Sequence, residues 1–283
     1  MKASFEEEVI ALRDAGAGRP AATDTGSRPL AAAAALWFGV AALGQWLFVA
    51  YIVGFYGRAT WAGRLQDFNQ VLPEGHVPGD TVGNAAVLVH VLLAAVVMGG
   101  GALQLVAAIR RRWPAFHRWN GRIYLPVVVL VALAGAYMIL VRGEGPDLRD
   151  AGILLNAAWV LACAAMTLRQ ALARRLDAHR RWALRLFLAA SAVWFFRVGL
   201  MFWILVNQGP VGFDPETFTG PFLVFLSFAQ TLLPLAVLEL YLRARDRGSR
   251  AARITMAGVL GLCALATATG IFAATMMLWL PHL

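Results

Sequence analysis

The chain has 283 residues, of which 60% are hydrophobic and only 14% charged, with a formal charge of +9. Apolar residues in long unbroken runs exclude a soluble domain, which scatters them, and a disordered chain, which lacks them. The excess of arginine gathers at the ends of those runs and not in a basic stripe with interleaved aromatics, so it speaks for membrane topology and against a nucleic-acid partner.

Taken in chain order, residues 1–29 are polar and acidic at Glu6, Glu7 and Glu8, which predicts a flexible cytoplasmic tail. The tail is not a signal peptide, because the apolar run after it is too long and lacks a cleavage site. Residues 30–283 then form a single transmembrane domain of about seven spans, each near the ~20 residues needed to cross a hydrocarbon core. The spans are read at 30–56, 84–109, 123–141, 151–173, 182–206, 221–242 and 254–280. Helices are the spanning form, since the runs are continuous and every backbone polar group in lipid must be paired within its own segment. The fold class is therefore all-α, a polytopic transmembrane helical bundle.

Between the first two runs lies a long outer loop, 57–83, in which Trp61, Leu65, Phe68 and Val71 recur at helical spacing and predict a short interfacial helix. The connections 110–122, 174–185 and 243–253 hold most of the arginines, whereas 142–150 and 207–220 are neutral or slightly acidic. By the positive-inside rule the N-terminus is cytoplasmic and the C-terminus lies outside. Cys163 and Cys263 sit in different spans, outside any C-x-x-C or C-x-x-C-H pattern, and read as small buried hydrophobes.

Ionisable groups in or beside apolar spans are costly and mark functional sites by default. Here they are His90, His117, His179 and Arg197. Two of the histidines open matching boxes: Phe116-His117-Arg118-Trp119-Asn120-Gly121-Arg122 before the third span, and Ala178-His179-Arg180-Arg181-Trp182-Ala183-Leu184-Arg185 before the fifth. Each has a His ahead of an Arg and a Trp, with another Arg three residues after the Trp. Spans two and three thus echo spans four and five as degenerate parallel repeats. Interfacial anchoring explains the arginines and tryptophans of the boxes; it explains two histidines in register less well.

Depth sorts these groups into two layers. His117 and His179 lie at the cytoplasmic ends of their spans, level with Glu239 near the end of span six. His90 stands 19 residues from Ile109, or about 28 Å at 1.5 Å per residue. Arg197 stands 15 residues past Trp182, or about 22 Å. His90 and Arg197 therefore share an outer pocket, which Asn156 is placed to join.

The order of His90, the H-R-W-x-G-R-x-Y stretch 117–124, the A-H-R-R-W-x-x-R stretch 178–185, Arg197 and Glu239 resembles the bacterial membrane family catalogued as domain of unknown function 2306. The resemblance covers spans two to six and implies a polytopic helical fold in the bacterial cytoplasmic (inner) membrane. It brings no established activity.

Three functions fit these residues. In the leading one a haem b is held by His117 and His179, with Arg118, Arg122, Arg180 or Arg185 on its propionates and His90 and Arg197 serving a second layer, and the protein transfers electrons. In the second, His117, His179 and Glu239 bind zinc or non-haem iron in a membrane enzyme. In the third, with or without a cofactor, the outer pocket binds an anionic headgroup, a carboxylate or a quinone carbonyl, in a transport module or an accessory subunit of a membrane-protein complex. Pro234, Gly99 to Gly101, Gly258, Gly261 and Gly270 are the places where such a bundle would pack closely or hinge.

Overall fold

A computed structural model describes residues 26–72, 74–142 and 147–283, so the tail expected over 1–29 falls outside it up to residue 25. Among the described residues six helical stretches are long and apolar enough to cross a membrane: Ser27–Trp61, Thr81–Leu105, Pro114–Arg142, Leu148–Leu172, Pro221–Arg247 and Arg250–His282. The bent pair Leu176–Ala190 and Ala192–Asn207, taken as one span, makes seven. The described residues contain no strand, only an isolated bridge between Asp214 and Thr219.

The helices are α1 (Ser27–Tyr51), α2 (Thr81–Leu105), α3 (Ala107–Arg112), α4 (Pro114–Tyr137), α5 (Leu148–Leu172), α6 (Leu176–Ala190), α7 (Ala192–Asn207), α8 (Pro221–Arg247) and α9 (Arg250–Ala274). Three of them end in π-helical turns, α1 at Ile52–Gly57, α4 at Met138–Arg142 and α9 at Thr275–Trp279. Their starts follow local chemistry. Asp80 accepts the Gly83 N–H at 2.8 Å ahead of α2, Asp147 and Asp150 cap α5 reciprocally, and Ser249 accepts the Ala252 N–H ahead of α9. Pro114 and Pro221 open α4 and α8, where a missing N–H costs nothing.

The helix ends define two faces. The basic face carries the start of α1 and the arginines at positions 110–112, 174, 175, 243, 245, 247, 250 and 253; the opposite face carries the 57–83 and 207–220 connections. Around the bundle α1 packs on α9 and α2, α2 on α4, α4 on α5, and α5 on α6 and α8. Between helices in lipid there is little hydrophobic drive, so contact depends on close packing at small residues. Gly152 lets α5 lie directly against Ser227 of α8, and Gly270 lets α9 lie against the backbone of Val198 in α7.

Several sequence expectations change. The third span starts at Pro114, nine residues before 123, so the first H-R-W box lies within α4 and not ahead of it; hydropathy sees only the apolar part of a helix that proline starts earlier. The second box is likewise inside α6. The expected helix over Trp61 to Val71 is not one element: a last helical turn, Arg58–Trp61, follows the π segment after α1, Gly63 turns the chain at φ +68°, and a 3₁₀ segment follows at Leu65–Gln70. Trp61 is 95% exposed while Phe68 is 1% exposed and packs edge-on to Tyr56, so the two do not share an apolar face. Pro234 lies within an α8 that continues past it, and a side chain at Gly258 or Gly261 would meet open space, not a neighbouring helix.

The fifth span holds the largest departure, a 52° bend at Ser191. A buried polar network occupies the bend. Ser191 Oγ donates to Phe187 O at 2.7 Å and accepts from Gln45 Nε2 at 2.9 Å, while Asn156 Nδ2 donates to Ala189 O and Thr231 Oγ1, both at 2.9 Å. These bonds pair groups that a broken helix exposes, which lets the break persist at membrane depth.

Candidate functional site

On the basic face the two boxes adopt the same local arrangement. Each Arg lies over the Trp three residues before it, Arg122 over Trp119 at 5.1 Å and Arg185 over Trp182 at 4.9 Å. The side chains two positions further on, Tyr124 and Phe187, both converge on Gly101 of α2. Repeated spacing thus produces repeated geometry.

His179 Nδ1 lies 3.0 Å from the main-chain oxygen of Thr167 at the end of α5. A carbonyl only accepts, so this bond places the proton on Nδ1 and leaves the Nε2 lone pair of the neutral ring uncommitted. His117 is within electrostatic reach of His179, Arg110 and Arg118, and its Nδ1 is buried with no hydrogen-bond partner among the described residues. Two uncharged side chains fix the backbone around it: Gln104 Nε2 donates to His117 O at 3.0 Å and Asn120 Nδ2 donates to Gly100 O at 2.9 Å. Neither was singled out from sequence, because a bond to a main-chain carbonyl leaves no pattern in residue types.

The nearby arginines divide by occupation. Arg185 holds Glu239 through Nε at 2.8 Å and a terminal nitrogen at 2.7 Å, and Arg180 holds Asp177 at 3.2 Å. Arg118 and Arg122 have no carboxylate partner among the described residues. Glu239 is thus drawn to Arg185, and among the described residues no three His, Cys, Asp or Glu side chains gather as a metal ion requires. The set His117, His179 and Glu239 is not assembled.

Toward the opposite face, His90 Nδ1 lies 2.9 Å from Val131 O of α4. Gly135 makes room for the ring, since a Cβ there would lie 3.0 Å from His90 Cε1. Arg197 is within electrostatic reach of His90 and of Tyr51, with its guanidinium 5.5 Å from the centre of the Phe48 ring. His90 and Arg197 therefore share one layer, separate from the histidine pair. Asn156 does not join them, because its amide is spent on the bend.

A third polar cluster was not foreseen. Arg142 at the end of α4, with a side chain 9% exposed, lies 3.1 Å from Asp80 Oδ2 and donates to Asn84 Oδ1 at 2.8 Å. It ties α4 to the N-terminus of α2. Arg142→Ala is expected to cost ~2 kcal/mol, because Asp80, 34% exposed, loses its counter-charge and keeps only the Gly83 N–H. In a double-mutant cycle with Asp80→Ala the losses should fall short of additive; a near-neutral Arg142→Ala in detergent unfolding would remove this tie from the account.

Residues 87–233 match a family described as predicted membrane protein and catalogued as domain of unknown function 2306. The match takes in more than half of the 283 residues. The chain belongs to this family. The matched region contains His90, both boxes, Arg197 and the bend, and it stops short of Glu239. Helices α1 and α9 lie outside it, so Phe48 and Tyr51 of the opposite-face layer come from beyond the family region. No curated protein and no solved structure matches the chain.

Proposed function

We propose that the basic-face histidine pair binds a haem b and that the protein carries electrons in the membrane. The observation that supports it is His179, whose Nδ1–H is held by a main-chain carbonyl so that Nε2 is free to ligate, the usual arrangement of a metal-bound imidazole. His117, in reach of His179 and with its own Nδ1 unpartnered, supplies the second ligand from the other repeat. Arg118 and Arg122, without a carboxylate partner among the described residues, suit propionates better than Arg180 or Arg185, which are already paired. When bound, a haem supplies one-electron exchange at a potential set by its ligands and surroundings. The residues of this chain hold the His179 imidazole in one tautomer and place cations around the propionate edge.

In the same reading the basic face is cytoplasmic, by the positive-inside rule, and the membrane is the bacterial cytoplasmic one. The electron partner is then a quinone or another membrane subunit. The test is a reduced-minus-oxidised spectrum of purified protein with a pyridine haemochrome assay. About one haem per chain is expected from one ligand pair; protein made with ample haem supply that shows no Soret band would overturn the proposal.

A further inference from the structure

The 52° bend at Ser191 has a consequence on the side away from the basic face. Before the bend, α6 packs on α5, α8 and α2; after it, α7 packs on α9 and α8. The span thus meets α2 before the bend and scarcely after it, which sets α2 and α7 apart on that side; we call the gap between them the wedge. Burial along α2 records it: residues 88–95, more than two full turns, are all partly accessible, whereas a helix packed on one side alternates between buried and exposed. His90 faces α4 within that stretch, and Arg197 stands on α7 across from it.

The groups around the wedge are short of acceptors. Arg197 has no carboxylate partner among the described residues; its hydrogen bond is a long one, 3.4 Å to Val193 O of its own helix. The indole N–H of Trp279, in a residue 1% exposed, has no partner among the described residues, and the Tyr51 hydroxyl, also 1% exposed, has Tyr56 as its neighbour. These side chains are contiguous: Arg197 lies over Phe48, whose ring centre is 6.0 Å from Tyr51 and 5.4 Å from Trp279. Both α1 and α9 become π-helical directly beside this cluster, a distortion common where helices carry a site. A cation in an apolar span without a counter-charge is costly, and a buried indole N–H without an acceptor adds to the cost.

We propose that the wedge binds the anionic oxygen of an acyl-chain amphiphile, its charge on Arg197, a further oxygen near Tyr51, and its chain along the apolar faces of α2 and α7. A neutral carbonyl would satisfy the donors but not the charge, so an anion fits better than a quinone. The proposal does not depend on haem. Two sources carry the required chemistry, a fatty-acid carboxylate and a phospholipid phosphate.

The test uses delipidated full-length protein in a neutral detergent, titrated with oleate, phosphatidylglycerol or uncharged oleyl alcohol and read by thermal shift and equilibrium binding. Oleate or phosphatidylglycerol should raise Tm, and the one that does identifies the source; oleyl alcohol should not. Arg197→Gln should weaken the responding anion by about tenfold or more, Arg197→Lys should restore most of the binding, and Tyr51→Phe should weaken it about threefold. Equal response to the alcohol, or undiminished anion binding in Arg197→Gln, would overturn the proposal. Should Arg197→Gln fail to fold, Tyr51→Phe decides in its place, and anion binding unchanged in that variant would overturn it.

Discussion

His179→Ala is expected to purify folded and without a haem absorption band, whereas His90→Ala keeps the band. The contrast follows from geometry on each side of the imidazole. Removing the His179 ring deletes the proposed ligand but only one bond to the fold, the contact with Thr167 O, which is worth ~1 kcal/mol. His117→Ala should behave the same way, because two axial ligands act together and loss of either releases or converts the haem. His90 is bound to Val131 in the other layer and should leave the spectrum alone. Glu239→Gln separates haem from a metal centre: it removes the charge that Arg185 holds and should leave a haem spectrum intact, whereas a zinc or iron site using that carboxylate would lose its metal. A band that survives in both His117→Ala and His179→Ala would sink the ligand assignment.

The all-α class and the six to seven apolar spans were legible because each rests on composition along one segment. Apolar runs longer than about 18 residues locate spans whatever packs around them, and helical rise alone separates His90 from His117. What could not be read depends on how segments meet. Nothing in the run 182–206 distinguishes Ser191 as a break, since the groups that stabilise it come from Gln45 on α1, Asn156 on α5 and Thr231 on α8. The same holds for Tyr51, whose importance lies in its nearness to Arg197 across helices. Asn156 shows the limit of depth arithmetic: it has the right height for the outer pocket, but its amide points to Ala189 O. Glycine was read for its smallness, and this sorted Gly270 from Gly258 only after the facing helix was known.

Gly270→Leu is expected to be the most destabilising single substitution at a glycine of α9, and Gly258→Leu nearly neutral. A Cβ at Gly270 would lie 2.5 Å from Val198 O, 2.7 Å from Val198 Cγ1 and 3.2 Å from Phe202 Cβ. The oxygen belongs to helical backbone and cannot rotate aside, so α9 and α7 must separate. Overpacking of this kind costs ~3 kcal/mol, and in lipid no hydrophobic gain offsets the lost contact between helices. At Gly258 a Cβ meets nothing within 4 Å, so leucine there should add helix propensity of up to ~1 kcal/mol with no clash. Because Val198 adjoins Arg197, the displaced α7 should also carry the guanidinium off Phe48. The paired measurement is thermal unfolding in one detergent followed by oleate and phosphatidylglycerol titration. A lowered Tm with weakened anion binding for Gly270→Leu, and neither for Gly258→Leu, would place the control of the wedge in the α7–α9 contact. Equal unfolding of both variants would mean that α9 is held by its length and not by this close approach.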